Sequence, residues 1–381
     1  MSVDRMLPTE EAEALLALAR DLADGELRPR VADHERRAEF PREVFRTLGR
    51  AGLLGLPYPV EYGGGGQPYE VYLQVLEELS GAWLAVGLGV SVHTLSCFPT
   101  AQFGSAEQKA AWLPDMLGGE LLGAYCLSEP HSGSDAAALT TRATRTSDGY
   151  RVDGVKAWIT HGGAADFYTL MVRTGDGGAR GISTLLARAC TPGLLPQPPE
   201  HKMGMSSSPT AQIVLDGAQL PADALIGTEG EGFRIAMAAL DGGRLGIAAC
   251  AVGVAQSALD HAVAYAAERR QFGRAIADFQ GIGFLLADMA TQVSAARALY
   301  LAAARLRDAG RAYSTEAAKA KLFATDTAMR VTTDAVQVLG GAGYVEDHPV
   351  ERWMREAKVL QIVEGTNQVQ RLVISRALSA P

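Results

Sequence analysis

The segment that decides the fold is YRVDGVKAWIT, residues 150–160. Apolar and polar residues alternate along most of it, which is typical of a half-buried β-strand. Similar short runs follow at 167–174, 181–188 and 211–217, separated by Gly, Pro, Ser and Asp. Because no helical pattern lies between these runs, the sequence predicts a small β domain and disfavours the parallel βαβ architecture of nicotinamide-dependent dehydrogenases.

Helical patterns flank this β domain on both sides. Apolar residues recur at three- and four-residue spacing from residue 9 to about 118. Longer helical patterns return from about 229, and their predicted ends are marked by glycines at 273, 310 and 340–341. The sequence therefore predicts three domains in the order helical, β, antiparallel helical bundle, at residues 1–120, 121–228 and 229–381.

Composition and charge exclude several classes of protein. The chain has 381 residues and a formal net charge of -8, with acidic and basic residues interspersed, so a nucleic-acid surface is not expected. Its four cysteines are widely spaced, which disfavours a metal site or a disulfide framework and suits a reducing cytosol. The N-terminus does not resemble a signal peptide, and no apolar run reaches the roughly 18–20 residues of a membrane span. We therefore expect a cytoplasmic protein.

Two segments of the β domain carry candidate binding residues. YCLSEPHSGSDAAA, residues 125–138, offers hydroxyls and backbone N–H groups that either bind a flat cofactor or an anion, or form an ordinary turn between elements. KAWITHGG, residues 156–163, places Trp158 and Thr160 on one face of a strand and Ile159 on the other. That face either offers stacking and a hydrogen bond to a ligand, or packs the indole in the β core.

Three segments of the helical bundle are further candidates. AERRQFGRAIADFQ, residues 267–280, ends a helix in arginines that either complement the helix dipole or pair with a pyrophosphate. QVLGGAGYVEDHPVERWMREAK, residues 337–358, contains a Gly-Gly pair that ends a helix or admits a cofactor closely. QIVEGTNQVQ, residues 361–370, sets Glu364 just before a final helix that Thr366 or Asn367 can cap. Its carboxylate is either a solvated helix-start charge or a group held in a dry pocket.

Together these segments resemble one family closely. CLSEPHSGSD and WIT in the β domain, DGGR and RRQFG in the bundle, and QVLGGAGY and VEGTNQVQR near the C-terminus are similar to motifs of acyl-CoA dehydrogenases, flavoproteins of the short/medium-chain type. The resemblance runs from roughly residue 8 to the end. It implies an α+β multidomain fold with an N-terminal helical domain, a central β-barrel domain and a C-terminal four-helix bundle.

The resemblance implies FAD as the cofactor and no metal. The flavin ring would meet residues of the β domain: Tyr125, Cys126, Leu127, Ser128, Ser134, Trp158, Ile159 and Thr160. The remainder of FAD would meet residues of the helical bundle: Arg269, Phe272, Gln280, Gln337, Gly340, Gly341, Thr366, Asn367 and Gln368. In the family, part of this site comes from a neighbouring subunit, so the resemblance also implies a homotetramer, a dimer of dimers.

The resemblance further implies α,β-dehydrogenation of an acyl-CoA thioester to the trans-2-enoyl-CoA. Glu364 would abstract the α proton, flavin N5 would accept the β hydride, and electron-transferring flavoprotein would be the electron acceptor. Substrate would contact Ser134, Asp241, Arg244 and Gly365. Some relatives carry the base at the position of Gly243, which has no carboxylate here. Desolvation would raise the pKa of Glu364 toward that of the thioester.

Alternatives remain open at this level. The chain is also compatible with an oxygen-using acyl-CoA oxidase, a dehydrogenase of acyl groups on a carrier protein, or a non-catalytic acyl-CoA-binding protein. His131 and His161 depart from the family pattern; each either alters flavin potential or oxygen access, or points to solvent, and we favour solvent exposure. The acyl chain length depends on how helices near 85–104 and 236–255 pack.

Overall fold

The computed structural model describes residue 3 and residues 5–379. Helices come first: α1 (Glu10–Leu22), α2 (Val31–Arg37), α3 (Arg42–Arg50), α4 (Tyr69–Ala82), α5 (Leu84–Phe103) and α6 (Ala106–Gly118). Helices α4 and α5 are buried on nearly all sides, as their almost continuous apolar sequences indicate. A capping box starts α6: the Ser105 hydroxyl accepts from the Gln108 backbone N–H, and the Gln108 side chain accepts from the Ser105 N–H.

One eight-stranded sheet forms the central domain. Its strands are β1 (Gly123–Cys126), β2 (Arg142–Arg145), β3 (Gly149–Thr160), β4 (Phe167–Arg173), β5 (Ile182–Arg188), β6 (Leu194–Pro196), β7 (Thr210–Pro221) and β8 (Leu225–Ile226). They are hydrogen-bonded in the order β6-β7-β3-β2-β4-β5-β8, and β1 pairs in parallel with β4. This order does not close between β6 and β8 in the described chain, so the expected β-barrel is an open one.

Helices return after the sheet and form the C-terminal domain. They are α7 (Gly232–Glu268), α8 (Gln280–Asp308), α9 (Ser314–Leu339), α10 (Val350–Leu360) and α11 (Asn367–Ser379), with a short hairpin of β9 (Arg270–Gln271) and β10 (Arg274–Ala275) after α7. Helix α7 is central, because α4, α5, α8 and α9 all pack against it. Its buried side is rich in Ala and Gly, which lets neighbouring helices approach closely.

The predicted glycine stops are confirmed at two of three places. Gly310 follows α8 with φ 67° and Gly340 follows α9 with φ 61°, backbone conformations that favour glycine. Gly273, with φ 82°, lies instead in the turn between β9 and β10. It therefore turns a hairpin and does not end the long helix directly.

Two helices are long and apolar enough to cross a membrane by length and composition alone, contrary to the sequence-based expectation. These are α5 and α7. Within their most apolar windows, however, 89% and 78% of the residues are buried inside the protein. Such burial is typical of core helices, whose apolar side chains face other protein residues.

Candidate active site

Glu364 lies in the short turn between α10 and α11. Its φ is 53°, and that of Gly365 is 89°, so two successive residues adopt left-handed backbone conformations. Glutamate rarely adopts this conformation, and such strain is common at functional sites. The turn directs the carboxylate against α7: a β-carbon built on Gly243 would lie 1.9 Å from Oε2 of Glu364. Glycine at 243 is therefore required for this placement of the carboxylate.

The Glu364 carboxylate is buried without a hydrogen-bond partner. Both oxygens are covered, although the residue as a whole is half-buried, and neither is paired within residues 5–379. Burial raises the pKa of Glu364 to about 8, and the positive charges of Lys321 and Arg244 oppose that rise. A carboxylate that is dry, unpaired and titrating near neutral pH is suited to accept a proton from a bound molecule.

A network on α9 and α11 fixes the Glu364 turn. The buried Lys321 ammonium donates to the Gly365 carbonyl at 3.0 Å, and Gln370 Nε2 donates to the same oxygen at 2.8 Å. The Thr366 hydroxyl accepts from the Val369 N–H at 3.2 Å, which confirms the predicted helix cap. Lys321 and Gln370 were not identified from the sequence. The sequence feature that could have identified Lys321 is its position as a single cation among the alanines of the buried face of α9.

Asn367 was expected to bind FAD, and the structure limits that role to its backbone groups. Asn367 is buried, and its carboxamide accepts from Lys321 at 2.9 Å and donates to Asp326 at 2.7 Å. These partners on α9 leave the side chain unavailable to a cofactor. Asn367 instead anchors the turn that carries Glu364, whereas Gln368 is exposed and Thr366 half-buried.

The two substrate residues predicted on α7 form an ion pair. Arg244 Nη1 donates to Asp241 Oδ1 at 2.6 Å, and the Ser314 hydroxyl donates to the same oxygen at 2.8 Å. Arg244 is buried, and its Nε has no partner among the described residues. The pair lies on the same turn of α7 as Gly243. Asp241 holds the Arg244 guanidinium, whose positive charge opposes the rise of the Glu364 pKa.

The end of β1 lies against α5 and α7, and so connects the β domain with the helices around Glu364. Tyr125 and Leu127 pack against α5 and α7, and the buried Tyr125 hydroxyl has no partner in the described chain. Burial, with the nearby charge of Glu364, raises the Tyr125 pKa well above its usual value. Ser128 is half-buried, and its carbonyl accepts from the Ala157 N–H at 2.9 Å, while Ser134 is exposed.

Strand β3 presents the predicted indole to solvent. The pairing of β3 with β7 is irregular between Lys156 and Ile159, and Trp158 there has a φ of 61°. Trp158 is 63% exposed, so it does not pack in the β core, whereas Thr160 is half-buried. The exposed ring is open to a stacking partner, and its contact with a flavin stays a prediction.

Cys126 and Ile159 were also expected to bind FAD, and the structure limits what they can do. Both side chains are buried in the core of the sheet. Only their backbone groups can therefore face a cofactor. Side chains alternate between the two faces of a strand, so the residues next to Cys126 and Ile159 lie on the opposite face from these two.

His161 does not point to solvent, so that expectation is wrong. Its ring is buried against Phe40 and Phe45, and its Nδ1 lies 2.9 Å from the Gly123 carbonyl oxygen. Burial lowers the His161 pKa to about 4, which keeps the ring neutral near pH 7. His161 thus holds the first residue of β1. His131 is exposed, as expected, 3.3 Å from the Thr140 hydroxyl.

The remaining predicted FAD residues lie at the other end of the bundle. All are exposed: Arg269, Phe272, Gln280, Gln337, Gly340 and Gly341. Because α8 and α9 are successive and pack together as a hairpin, the start of α8 lies beside the end of α9 and brings several of these residues to one surface. From Gly243 to Glu268, α7 is about 37 Å long, so this group and Glu364 are far apart within one chain.

A narrow cleft lies between α4, α5 and α7, and its free volume of about 10 Å³ is close to that of a single water molecule. It begins beside Gly242 and Gly243, next to the Glu364 carboxylate, between the two helical regions that the sequence indicated. Residues that complete its wall are Tyr58, Tyr69, Ser91, Thr94, Phe98 and Arg307. The sequence did not identify Tyr69 or Arg307, because Arg307 near the end of α8 looks like an ordinary helix C-terminal cation.

The residues present fit a flavin. The unpartnered Tyr125 hydroxyl and the exposed Trp158 indole supply a polar group and a stacking surface for a flat ring system. The unpaired Glu364 carboxylate lies close enough to Tyr125 for its charge to affect that hydroxyl. A base beside a flavin surface and a narrow cleft between helices define a flavoprotein oxidoreductase.

Comparison with known proteins gives the family. Sequence models of the acyl-CoA dehydrogenase N-terminal, middle and C-terminal domains match residues 9–120, 124–218 and 230–379. An acyl-CoA dehydrogenase of Bacillus subtilis is 46% identical over 372 residues, 97% of this chain and 98% of that protein. This chain belongs to the acyl-CoA dehydrogenase family.

Solved structures agree with this assignment. Butyryl-CoA dehydrogenase from Megasphaera elsdenii is 41% identical with a TM-score of 0.96, covering 99% of this chain and 100% of that chain. A chain from a structure of the electron transferring flavoprotein of Acidaminococcus fermentans is 43% identical with a TM-score of 0.97, covering 100% of both. The likeness therefore extends over all three parts of the fold.

Proposed function

We propose that this protein is an FAD-dependent dehydrogenase of short acyl-CoA thioesters in which Glu364 takes the α proton. The observation that carries the proposal is the buried Glu364 carboxylate, unpaired in the described chain, with a pKa raised to about 8. A structural glutamate at this depth would be expected to have hydrogen-bond partners, since burial of an unpaired charge is costly.

The residues around Glu364 support removal of a weakly acidic proton. A substrate chain bound at the cleft excludes further water, which strengthens the base and prevents competing protonation. The Glu364 backbone N–H makes no hydrogen bond within residues 5–379 and is therefore free to donate to a thioester oxygen. Lys321 and Gln370 both donate to the Gly365 carbonyl oxygen, which fixes the turn and therefore the direction of the Glu364 N–H. FAD, when bound, accepts the β hydride.

A solved relative supports a short acyl chain as the substrate. Two aromatic side chains, Tyr58 and Phe98, line the cleft next to the base. The similar enzyme from Megasphaera elsdenii acts on butyryl-CoA. We therefore take butyryl-CoA as the first substrate to test.

Assembly and electron transfer are part of the proposal. The predicted FAD residues near Phe272 are about 37 Å along α7 from the Glu364 region, farther than one extended FAD molecule reaches. A neighbouring subunit supplying one of the two groups would complete the site, which favours a homo-oligomer, expected to be a tetramer. Electron-transferring flavoprotein is the proposed acceptor, and the cytoplasm the proposed compartment.

An anaerobic titration tests the function. Purified protein is mixed with butyryl-CoA, and flavin absorbance is followed together with formation of the enoyl thioester. Stoichiometric flavin bleaching with appearance of the 2-enoyl product supports the proposal. Two results overturn it: absence of bound FAD after incubation with excess FAD, or aerobic turnover that yields stoichiometric peroxide without an electron carrier, which defines an oxidase.

A further inference from the structure

The Gly365 carbonyl, next to the base in sequence, accepts two hydrogen bonds that differ in charge. Lys321 Nζ on α9 donates to this oxygen at 3.0 Å, and Gln370 Nε2 on α11 donates to it at 2.8 Å. Both donor residues are fully buried. A neutral carboxamide is enough to satisfy a carbonyl oxygen, whereas burying an ammonium carries a large desolvation cost. The hydrogen bond alone therefore does not explain why one of the two donors is a cation.

The hydrogen-bond partners of Lys321 do not neutralise its charge. Besides the Gly365 carbonyl, Nζ donates to Asn367 Oδ1 at 2.9 Å. Both acceptors are uncharged oxygens, so they stabilise the ammonium and leave its positive charge in place. None of the other buried residues of α9, all of which the structure describes, carries a charge. In such surroundings a charge acts more strongly on its neighbours than it would at the protein surface.

The group on which this charge acts is the base. The charge of Lys321 is the first of those that oppose the rise of the Glu364 pKa, ahead of Arg244. Burial lowers the pKa of Lys321 to about 8, and the charges of Glu364 and Asp326 oppose this fall. Each of the two groups thus favours the ionised form of the other. Once Glu364 has lost its proton, the pair is most stable as carboxylate and ammonium.

Four further titratable groups are affected by the charge of Glu364. They are Tyr69 and Tyr72 on α4, Tyr125 in β1 and Cys250 on α7. Burial raises the pKa of Tyr69 and of Cys250 to about 12, and it raises the pKa of the other two well above the usual value for tyrosine. All four therefore stay neutral over the pH range in which Glu364 titrates. The charges that face the base in that range are those of Lys321 on α9 and Arg244 on α7.

We propose that Lys321 is a positioning residue of the reaction, which holds the turn of the base and also supplies a charge that favours the ionised base, whereas Gln370 only holds the turn. This inference rests on the proposed function, since it assigns Lys321 to the proton transfer at Glu364. The ammonium bonds the backbone of the turn, and both carboxylate oxygens of Glu364 are left unpaired in the described chain. The cation therefore stabilises the carboxylate without occupying the lone pairs that accept the proton.

The pH dependence of holoenzyme variants tests the role of Lys321. Lys321→Met removes the charge and keeps a side chain of similar length. The pH at which kcat/KM for butyryl-CoA is half-maximal should then rise by about one unit, which lowers kcat/KM at pH 7 about tenfold. Infrared spectroscopy follows the carboxyl band of protonated Glu364, identified as the band that Glu364→Gln lacks. Its midpoint should rise by the same amount in the absence of substrate.

Matched variants separate charge from geometry. Gln370→Met removes the neutral donor to the same oxygen, so it should lower kcat and leave both pH midpoints in place. Lys321→Arg keeps the positive charge and should keep the wild-type midpoints. Lys321→Gln keeps a donor without the charge and should raise the midpoints, which keeps the test valid if the methionine variant does not fold. Lys319→Met, at an exposed lysine of the same helix, should leave the profile unchanged.

The outcomes distinguish this inference from the proposed function. Wild-type midpoints in Lys321→Met or in Lys321→Gln overturn the role of the charge and leave the proposed function standing. An equal rise in Gln370→Met also overturns it, because the midpoint would then depend on the geometry of the turn. Lack of flavin reduction by every short acyl-CoA thioester in the wild-type enzyme overturns the proposed function, and the role of Lys321 with it.

Discussion

Two buried glutamates, one in the β domain and one in the helical bundle, meet opposite surroundings. Glu129 accepts from the Lys156 ammonium at 2.8 Å and from the backbone N–H groups of Thr140 and Thr141 at 2.7 and 2.9 Å. These partners outweigh the effect of burial and lower the Glu129 pKa to about 2. Glu364 has no such partners within the described residues, and burial raises its pKa to about 8.

The difference shows that burial alone does not identify a reactive carboxylate. Glu129 and Lys156 neutralise each other and join the loop after β1 to β3, so neither charge is available to a ligand. Glu364 lies in a strained turn, and its carboxylate has no hydrogen-bond partner among residues 5–379 that would stabilise the fold. Its free lone pairs can accept a proton from a substrate. The first two tests remove the Glu364 carboxylate and the cation that pairs with Glu129.

The largest expected effect is that of Glu364→Gln. The carboxamide keeps the shape but cannot accept the α proton, so the rate of anaerobic flavin reduction by butyryl-CoA should fall about 10³-fold. FAD content should stay close to wild type and the unfolding midpoint should not fall, because no described hydrogen bond to the carboxylate is lost. Stopped-flow absorbance measures the rate. Glu346→Gln, at an exposed glutamate, is the matched control, and wild-type bleaching in Glu364→Gln contradicts the role of the base.

Lys156→Met should have the converse result, a loss of stability. It leaves the buried Glu129 carboxylate without its cation, which destabilises the fold by about 3–5 kcal/mol. Urea unfolding followed by circular dichroism measures the change. Lys319→Met, at an exposed lysine of α9 that pairs with Glu316, should change stability by less than about 1 kcal/mol. Equal stability of the two variants would mean that the Glu129 ion pair contributes little.

Gly243→Ala tests whether Glu364 needs the space on α7. The new methyl group would lie 1.9 Å from Oε2 of Glu364, so the carboxylate must move. We expect kcat for butyryl-CoA to fall at least about tenfold, since misplacing a catalytic group is costly. Gly118→Ala, where a β-carbon meets no atom within 4 Å, should leave kcat unchanged. Undiminished kcat in Gly243→Ala means that the carboxylate works from another position.

The smallest effect is the pH profile of wild-type enzyme. Because the pKa of Glu364 is about 8 and the base acts deprotonated, kcat/KM should rise about tenfold between pH 7 and a plateau above pH 9. The two glutamates should also affect stability in opposite directions. The raised pKa of Glu364 costs stability as pH rises from about 4.5 to about 8, whereas the stability due to Glu129 is lost as pH falls from about 4.5 toward 2. A flat rate profile between pH 7 and 9 contradicts a base with this pKa.

The sequence predicts the order of the elements because their patterns are local. Period-two alternation locates β3 and puts Trp158 opposite Ile159. The hydroxyl of Thr366, just before a helical pattern, likewise predicts the cap that starts α11. The motif around Glu364 also lies in one short segment. All three features need only neighbouring residues to be recognised.

The surroundings of the site could not be predicted in this way. Lys321 reaches Gly365 across 44 positions of sequence, and Arg307 stacks on Tyr69 from another domain. His161 lies in a segment that the sequence predicts as a turn, yet its ring is buried under Phe40 and Phe45. These roles depend on which helices pack together, and a single sequence carries no local signal for such pairs.

Gly243 and Glu364 occupy one volume from two directions. Any side chain at 243 displaces the carboxylate at 364, so the two positions cannot change independently. A carboxylate placed at position 243 fits only if position 364 loses its own carboxylate. The change at 243 alone puts two groups in one space, and the loss at 364 alone leaves no base there. The contact thus makes the residue at position 243 decide where a carboxylate at position 364 can lie.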